Sequence, residues 1–503
     1  MKSNKKISLE AIFFALYMIG FLVMAVTLLI YQPHVDTISD VPVSPPDEYF
    51  RMLIPKYICE HGKLPTGLEE EVRITGCGFS YGLYNTLPYI IQGWVMRFVS
   101  LFTDSELALL YAARSVNVVF GCCMAVFVYL LGKRLFADSR FRWLFCVAVM
   151  YLPENLFVHS YVNTDSCCLL ASAMILYALV WGYQEGFNVK NCVCLAVGIV
   201  LCALSYYNAY GYILCSIFLF AAYYFVKEDG KTAFHQKKAL PERKISLGGW
   251  RLDWKNMFAY GGLISLLVII GAGWWYVRAY FVLDGDILGL RTKEELALLY
   301  AFDSTSPLNT YAARGVSIYR MLADNHFFQC LYDSFIAAFG SLSITGVYWT
   351  YLSYKLFFGA GILGGLWNLG CFITKSKGRG TAAGKTRSPE ANTCSCNGKK
   401  LFFHLNMILC MLLPLVIMIR YAYTMDYQHQ GRYMLPALIP LMYYTVRGIQ
   451  RLAEIVLFGK KLPAWLVNAG VAFALFITAG SAFFMTFVQA LPVYQEIGMW
   501  LSY

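Results

Sequence analysis

Two adjacent carboxylates, Asp47 and Glu48, directly follow Pro45 and Pro46 just beyond the first long apolar run of the chain. Proline fixes the local backbone and favours the start of a helix. An acid at this place can complement the dipole of the helix that follows. It can also take a proton from a substrate hydroxyl or bind a cation. The local sequence does not separate the structural role from the chemical one.

A second candidate acid, Asp165, lies in the segment Asn163-Thr164-Asp165 that precedes another apolar run. If both segments emerge on the same side of a membrane, Asp47 and Asp165 face one apolar mouth. Two carboxylates there can hold a divalent cation, or one can act as a base while the other orients the acceptor. Asp165 also suits the cap of the helix that follows it. The pair is therefore a candidate catalytic site, at which a metal is allowed but not required.

Three arginines supply the opposite charge, and each lies near one end of an apolar run: Arg114, Arg278 and Arg432. The planar fork of arginine suits phosphate oxygens. Any one of these side chains could instead extend to lipid headgroups. Three of them at one face, beside acids, favour a site for a lipid-linked phosphate.

Three further polar residues complete the candidate binding set. Asn163 precedes Asp165, Tyr433 follows Arg432, and His429 lies three residues before that arginine. Polar groups near membrane depth are costly and are therefore functional candidates. His429 could bind a metal, or it could be a satisfied polar residue near the interface.

The composition is that of a membrane protein. Of the 503 residues, 58% are hydrophobic and only 14% are charged, against roughly one quarter charged in ordinary globular domains. The formal net charge is +11. The basic residues fall in separate clusters between apolar runs, without an aromatic-interleaved basic face, which argues against a nucleic-acid partner. We interpret these clusters as topology signals.

The apolar runs predict an all-α, polytopic fold with about eleven transmembrane helices. The predicted spans are 9–31, 108–132, 142–160, 164–183, 191–206, 208–226, 257–280, 348–373, 401–420, 431–448 and 465–489. We interpret 83–102 as a non-spanning juxtamembrane helix, since a span there would place the basic loop 133–142 outside. With this choice every basic cluster lies on one side, so the N-terminus is predicted to be cytoplasmic and the C-terminus external.

The whole chain, 1–503, is predicted to form a single integral-membrane domain. The first external loop, 32–107, would contain the Asp47 motif and juxtamembrane helices, one of them over 47–60. A second large external loop, 281–347, is the fourth in order and is predicted to fold over the membrane face. The Gly- and Lys-rich segment 374–400 lacks the glycine spacing of a phosphate-binding loop and is predicted to be a flexible cytoplasmic linker.

Several short motifs follow one another along the chain. They are Pro46-Asp47-Glu48 with Ile58 to Pro65, Ala112-Ala113-Arg114, Asn163-Thr164-Asp165, Trp275-Tyr276-Val277-Arg278, Ser334-Phe335 to Gly340, and Gln430-Gly431-Arg432-Tyr433-Met434-Leu435-Pro436. In this order and spacing they resemble the integral-membrane glycosyltransferases of the GT-C superfamily. The resemblance covers nearly the whole chain and is greatest to the bacterial relatives of protein O-mannosyltransferases and the lipid A aminoarabinose transferase.

The resemblance implies an inverting transfer of a hexosyl or pentosyl group from a polyprenyl-phosphate-linked donor to an extracytoplasmic glycan, lipid or protein. Asp47 would be the base or acceptor-orienting group, Glu48 a weaker neighbour, and Asp165 its partner in the same cavity, which faces outside. Relatives often have Lys-Pro-Pro-Leu where this chain has Asn85-Thr86-Leu87-Pro88. The arginines would then have to supply the phosphate-binding charge.

The alternative is a transporter or flippase of a lipid-linked saccharide, which would use the same polar groups for binding without covalent change. Such a protein would distribute its charged groups through the bilayer depth, whereas here they cluster near one side. That clustering favours the enzyme. Cys59 and Cys77, if external, could form a disulfide or remain two free thiols.

Overall fold

The structure of the protein is a computed structural model that describes residues 8–34, 43–84, 87–227, 246–247, 250–302, 310–324, 326–378, 394–425, 427–457 and 460–501. Residues 379–393 of the predicted linker lie outside the described residues, as do Asn85 and Thr86. The described chain is almost entirely helical, which confirms the all-α fold class.

The α-helices are, in chain order, α1 (Leu9–Tyr31), α2 (Glu48–His61), α3 (Leu87–Val99), α4 (Glu106–Leu135), α5 (Ser139–Met150), α6 (Pro153–Val158), α7 (Asp165–Glu185), α8 (Val189–Ala203), α9 (Tyr210–Tyr224), α10 (Trp254–Val282), α11 (Leu290–Tyr300), α12 (Ile318–Asp324), α13 (Phe327–Ile336), α14 (Tyr348–Gly378), α15 (Cys394–Thr424), α16 (Leu438–Ala453), α17 (Ala464–Phe483) and α18 (Leu491–Leu501).

The strands are very short and pair antiparallel. They are β1 (Phe225–Lys227), β2 (Ser246–Leu247), β3 (Trp250–Leu252), β4 (Ala338–Phe339), β5 (Ile344–Thr345), β6 (Val456–Leu457) and β7 (Lys460–Lys461). The first three form one sheet in the order β1-β3-β2, whereas β4-β5 and β6-β7 are separate hairpins.

Six helical segments of the described chain are long and apolar enough to cross a membrane: Leu9–Tyr31, Glu106–Leu135, Asp165–Glu185, Trp254–Val282, Lys399–Thr424 and Ala464–Gly498. Each coincides with a predicted span. The helix at 464–498 continues from α17 through a π-helical turn, Phe484–Ala490, into α18.

The other five predicted spans coincide with helices that are shorter, interrupted or only partly described. The span over 142–160 is divided at Pro153, which begins α6 after α5 has ended at Met150. The span over 431–448 begins with the 3₁₀ turn Gly431–Ala437 before α16. Helices α8 and α9 have 15 residues each, and the side chains of α14 are described only to residue 367.

Two helices form in the segment that is predicted from the sequence to be the first external loop. Helix α2 buries Ile54, Tyr57 and Ile58 in one cluster with residues of α3, and α3 packs on α4. Helix α3 has 13 residues and is about 20 Å long, which is shorter than the roughly 30 Å hydrocarbon core of a bilayer. Because α4 also packs against α7, this stack positions the segments that carry Asp47 and Asp165.

Helices α14 and α16 approach each other through glycine. A Cβ atom on Gly364 would overlap the backbone of Gly448, whereas one on the neighbouring Gly365 would meet nothing within 4 Å. We expect Gly364→Ala to lower the free energy of unfolding by about 1–3 kcal/mol, because the two helices must move apart. Thermal or denaturant unfolding of the purified protein measures the change. Gly365→Ala is the matched control, and an equal loss in both variants would contradict the close approach.

Candidate functional site

Asp47 immediately precedes α2 and has a left-handed backbone, with φ 63° and ψ 3°. This conformation is uncommon outside glycine, although aspartate tolerates it better than most residues. The carboxylate makes no capping hydrogen bond to α2. Instead, its Oδ2 accepts hydrogen bonds from Arg432 Nη2 at 3.0 Å and from Arg51 Nη2 at 3.4 Å. Since the side chain remains one third exposed, Asp47 can also contact a substrate.

Glu48, the next residue, has a different environment, with only 1% of its side chain exposed. Arg114 donates to both carboxylate oxygens, Nε to Oε1 at 2.8 Å and Nη2 to Oε2 at 2.5 Å. Oε1 also accepts from the backbone N–H of Val162 at 2.8 Å. Burial alone would raise the pKa of Glu48, but Arg114 outweighs it and lowers the pKa to about 2. Glu48 therefore joins α2, α4 and the segment before α7.

Arg51 lies one helical turn after Asp47 and connects the two predicted catalytic acids. Its Nη2 donates to Asp47, and its Nη1 donates to Asp165 Oδ2 at 3.4 Å. Asp165, the first residue of α7, is 4% exposed. The structure therefore brings both predicted acids to one guanidinium, which was not predicted from the sequence.

The surroundings of Asp47 and Asp165 do not suit the predicted divalent cation. Arg51 places a positive charge between Asp47 and Asp165, and Arg432 adds a second one beside Asp47. Among the residues that the structure describes, no group of three His, Cys, Asp or Glu side chains is arranged to hold a metal ion. In this arrangement the two carboxylates do not form a metal site.

Asp47 also lies on the wall of a cavity of about 340 Å³. Eight of the lining residues are tyrosines, and most of the others lie at or near the start of α2, the start of α11 and the end of α15. Burial raises the pKa of Asp47, whereas Arg432 and Arg51 lower it, and the net pKa is lowered. Asp47 is therefore a carboxylate at neutral pH.

A row of aromatic rings leads from Arg51 to Lys293, a residue that was not predicted from the sequence. Arg51 lies over the Tyr81 ring at 5.1 Å, and the Tyr81 and Tyr84 ring centroids are 6.4 Å apart. Lys293 Nζ lies 5.5 Å from the Tyr84 ring and 4.4 Å from that of Phe79. Two tyrosine rings thus separate the guanidinium beside Asp47 from the ammonium group of Lys293.

The opposite wall of the cavity is also aromatic. The Tyr421 ring of α15 lies 5.9 Å from Lys293 Nζ and 6.4 Å from the rings of both Tyr207 and Tyr433. Tyr433 in turn accepts a hydrogen bond from Arg432 at 3.1 Å. Two of the predicted binding residues, Arg432 and Tyr433, are therefore part of the Asp47 environment.

Arg420 adds a second cation to the Lys293 part of the cavity. It lines the cavity one turn before Thr424 and is exposed. None of the described residues forms an ion pair with it. A phosphate group entering the cavity could therefore bind Arg420 without first breaking an ion pair within the described chain.

The remaining sequence-predicted residues lie outside the cavity wall. Arg114 is fully buried and donates to the carbonyl groups of Leu29 and Gln32 as well as to Glu48. Arg278 donates to the carbonyl of Pro65 at 2.7 Å. The structure thus places neither arginine on the cavity wall, and both donate to backbone oxygens of other segments.

Asn163 and His429 also have protein surroundings of their own. Asn163 is completely buried and donates to the carbonyls of Val158 and Tyr161, while its Oδ1 accepts from the Ser166 N–H. These bonds fix the turn that leads into α7 and thereby orient Asp165. His429 lies beside aromatic rings, the nearest of them at 5.0 Å. Cys59 and Cys77 do not form a disulfide with each other.

Comparisons with known proteins give one group of similar structures. No family model matches the sequence, and no curated protein matches it. The chain is similar to solved structures of an oligosaccharyltransferase from Archaeoglobus fulgidus. For AglB in complex with an inhibitory peptide and a dolichol-phosphate, the identity is 12% and the TM-score 0.45, over 94% of this chain and 56% of that one.

The corresponding values for the apo form are 13% identity and a TM-score of 0.42, over 95% of this chain and 56% of that one. For the complex with Zn and sulfate they are 14% and 0.44, over 94% and 53%. The chain thus spans little more than half the length of these proteins. At these identities and TM-scores, the structural similarity does not assign an activity or a substrate to this chain.

Proposed function

We propose that this protein is a glycosyltransferase that moves one hexosyl or pentosyl group, with inversion, from a polyprenyl phosphate to a hydroxyl group of an extracytoplasmic acceptor. One observation carries the proposal. The Asp47 carboxylate and the cations Lys293 and Arg420 lie on the wall of a single tyrosine-lined cavity. That arrangement suits a base at one end of a sugar and a phosphate at the other.

The chemical step needs few groups. The acceptor hydroxyl attacks the anomeric carbon while Asp47 accepts its proton, and the bond between that carbon and the phosphate oxygen breaks. The electron pair of that bond passes to the phosphate, which is a good leaving group. Attack opposite the departing phosphate inverts the anomeric centre, which agrees with the separation of Arg51 from Lys293 by two rings.

The other charged groups act on orientation and charge. Arg432 and Arg51 keep Asp47 ionised and directed toward the cavity. Asp165 accepts a hydrogen bond from Arg51 and so orients that side chain. Lys293 and Arg420 would stabilise the negative charge that the phosphate gains as it leaves. In this chain the phosphate-binding cations would thus come from α11 and α15, and not from the Leu87-Pro88 region, where relatives often have lysine.

The size of the cavity suits a single sugar. Binding pockets for small molecules have volumes of about 300–1,000 Å³, and the 340 Å³ here is near the lower limit. Such a space accommodates one sugar with its phosphate. Eight tyrosines offer both flat apolar faces and hydroxyl groups, which suits a sugar ring.

Release of the carrier lipid tests the proposal. The purified protein, in lipid nanodiscs, is incubated with a panel of polyprenyl-phosphate hexoses and pentoses and with candidate acceptors. We expect release of polyprenyl phosphate and an acceptor whose mass increases by one sugar. Movement of an intact donor across the membrane of a proteoliposome, without released polyprenyl phosphate, would establish the transporter instead.

Charge removal at the phosphate end has a separate expected result. We expect Lys293→Gln and Arg420→Gln each to raise the KM for the donor by roughly tenfold or more, since a hydrogen bond to a charged group contributes about 1.5–3 kcal/mol. The acceptor KM should change little. Donor titrations at saturating acceptor measure the effect.

The matched control for this pair is Lys63→Gln. Lys63 also lies over an aromatic ring, that of Tyr57 at 5.9 Å, but it does not line the cavity. The control should keep the wild-type donor KM. An equal donor KM in all three variants would contradict the placement of the phosphate at this end of the cavity.

A further inference from the structure

We propose that the isoprenoid chain of the donor lies in a membrane-facing groove. Helix α9 forms the floor of this groove, and α10 and α15 form its two sides. This inference rests on the proposed function, and it identifies where the apolar part of the substrate binds. The groove begins where the cavity opens, because Tyr210, the first residue of α9, is part of the cavity wall.

One side of α9 faces α15. A Cβ atom on Gly211 would lie 2.8 Å from the Leu413 side chain. Two turns further along α9, the rings of Phe218 and Phe402 are 6.0 Å apart. The opposite side of α9 faces α10, since a Cβ atom on Gly261 of that helix would lie 3.3 Å from the Phe220 ring. Tyr210 shares a hydrogen bond of 3.1 Å with Tyr276 of that helix.

The side of α9 between these two contacts is uncovered and apolar. Leu214 and Ile217 are 63% and 61% exposed, and at a spacing of three residues they lie on the same face of the helix. The intervening Cys215 and Ser216 are buried. Helix α9 therefore exposes only a narrow strip between its two neighbours, which is the shape of a groove floor.

Helix α15 continues the exposed apolar strip of α9 and has a charged residue at the end nearest the cavity. Leu405, Leu412 and Val416 are exposed by 41%, 49% and 60%. Helical geometry places them beside the α15 side chains that contact α9, on the same outer face as Leu214 and Ile217. Arg420 follows Val416 by one turn and lines the cavity. An apolar wall therefore leads directly to a guanidinium at the cavity mouth.

The mouth of the cavity has the same combination of apolar and cationic groups. Leu288 and Leu290 precede Lys293 and line the cavity, although 51% and 45% of their surfaces are exposed. A ligand that fits must carry a group small enough for the cavity, a phosphate at Arg420 and Lys293, and an apolar chain that leaves over α9. A polyprenyl-phosphate sugar has all three parts, and the strip is one helix wide, which suits a single chain.

A pair of tryptophans placed on the groove floor tests the assignment. The probe is radiolabelled polyprenyl phosphate without a sugar, bound to the purified protein in nanodiscs. We expect L214W/I217W to bind it roughly tenfold more weakly, because the indole rings cover the groove floor and the loss of about ten close packing contacts of the chain has an effect of that size. Wild-type affinity in this variant would overturn the groove.

The matched control is L16W/I19W on α1. Leu16 and Ile19 have the same residue types at the same spacing and are 61% and 56% exposed, but α1 packs on α4 and α18. This control should bind the probe like the wild type. Equal weakening in both variants would mean that the tryptophans act through general perturbation, and it would overturn the assignment to α9.

A photoreactive polyprenyl phosphate keeps the proposal falsifiable even if the tryptophan variant does not fold. In the wild-type protein we expect crosslinks to α9, α10 and α15 that survive an excess of phosphatidylglycerol. Crosslinks to other helices would overturn the groove, and so would full displacement by phosphatidylglycerol, which would identify a site for ordinary membrane lipids. Specific crosslinks without sugar release from any donor would contradict the proposed transferase and leave the groove in place.

Discussion

Replacing Asp47 by asparagine is expected to lower the rate of sugar transfer by about 10²–10⁴-fold, the range over which general-base catalysis usually contributes. The asparagine amide can still accept a hydrogen bond from Arg432 or Arg51, so the local structure should persist. It cannot take the proton of the acceptor hydroxyl at neutral pH. The initial rate at saturating donor and acceptor measures the effect, and size-exclusion chromatography with thermal unfolding confirms the fold.

Asp104→Asn is the matched control for this variant. Asp104 is an exposed acid of the same predicted external loop and does not line the cavity, so its replacement should leave the rate unchanged. Turnover near the wild-type value in Asp47→Asn would instead assign Asp47 to the structure of the loop, as the partner of two arginines. The chemistry would then require another group.

The pH profile gives a second readout of Asp47. Because Arg432 and Arg51 outweigh burial and lower its pKa, Asp47 stays ionised in mildly acidic solution. The contribution of Asp47 to the rate should therefore be constant from neutral pH downward and fall only below the ordinary carboxyl pKa of about 3.9. A loss centred well above that value would point to a different titrating group.

The sequence predicts the long helices well and the site only in part, for physical reasons. Apolar periodicity and length are local properties, so six predicted spans coincide with membrane-length helices. Arg51 could have been found, since it lies four residues after Asp47 and that spacing brings side chains together on a helix. Lys293 and Arg420 could not, because only the packing of α11 and α15 brings them to residues near position 47.

The arginines show the same limit in a different form. An arginine that awaits a phosphate and one that is already paired have the same signature in a single sequence. Arg432 reaches Asp47, whereas Arg114 is held by Glu48 and by the backbone carbonyls of Leu29 at the end of α1 and Gln32 just after it. Which case applies depends on where α4 packs, and no local pattern around Arg114 encodes that position.

Replacing Arg114 by alanine is therefore expected to destabilise the protein by about 3–5 kcal/mol, the usual cost of removing one partner from a buried ion pair. Among the residues that the structure describes, buried Glu48 would keep only the Val162 N–H and His34 as partners. Denaturant or thermal unfolding in a fixed detergent measures the loss. Arg291→Ala is the control, because Arg291 and its partner Glu295 are mostly exposed and such pairs contribute at most about 1 kcal/mol.

The pH dependence of stability separates this structural role from the phosphate-binding role that the sequence predicts for Arg114. Arg114 lowers the pKa of Glu48 from 4.5 to about 2, so the stabilisation is present above about pH 4.5 and is lost as the pH falls toward 2. The wild type should lose stability over that interval. In Arg114→Ala the stabilisation of Glu48 by Arg114 is already absent, so this loss of stability should not appear. A stable Arg114→Ala protein with a raised donor KM would instead place Arg114 at the phosphate, because a residue that holds only Glu48 has no direct effect on donor binding.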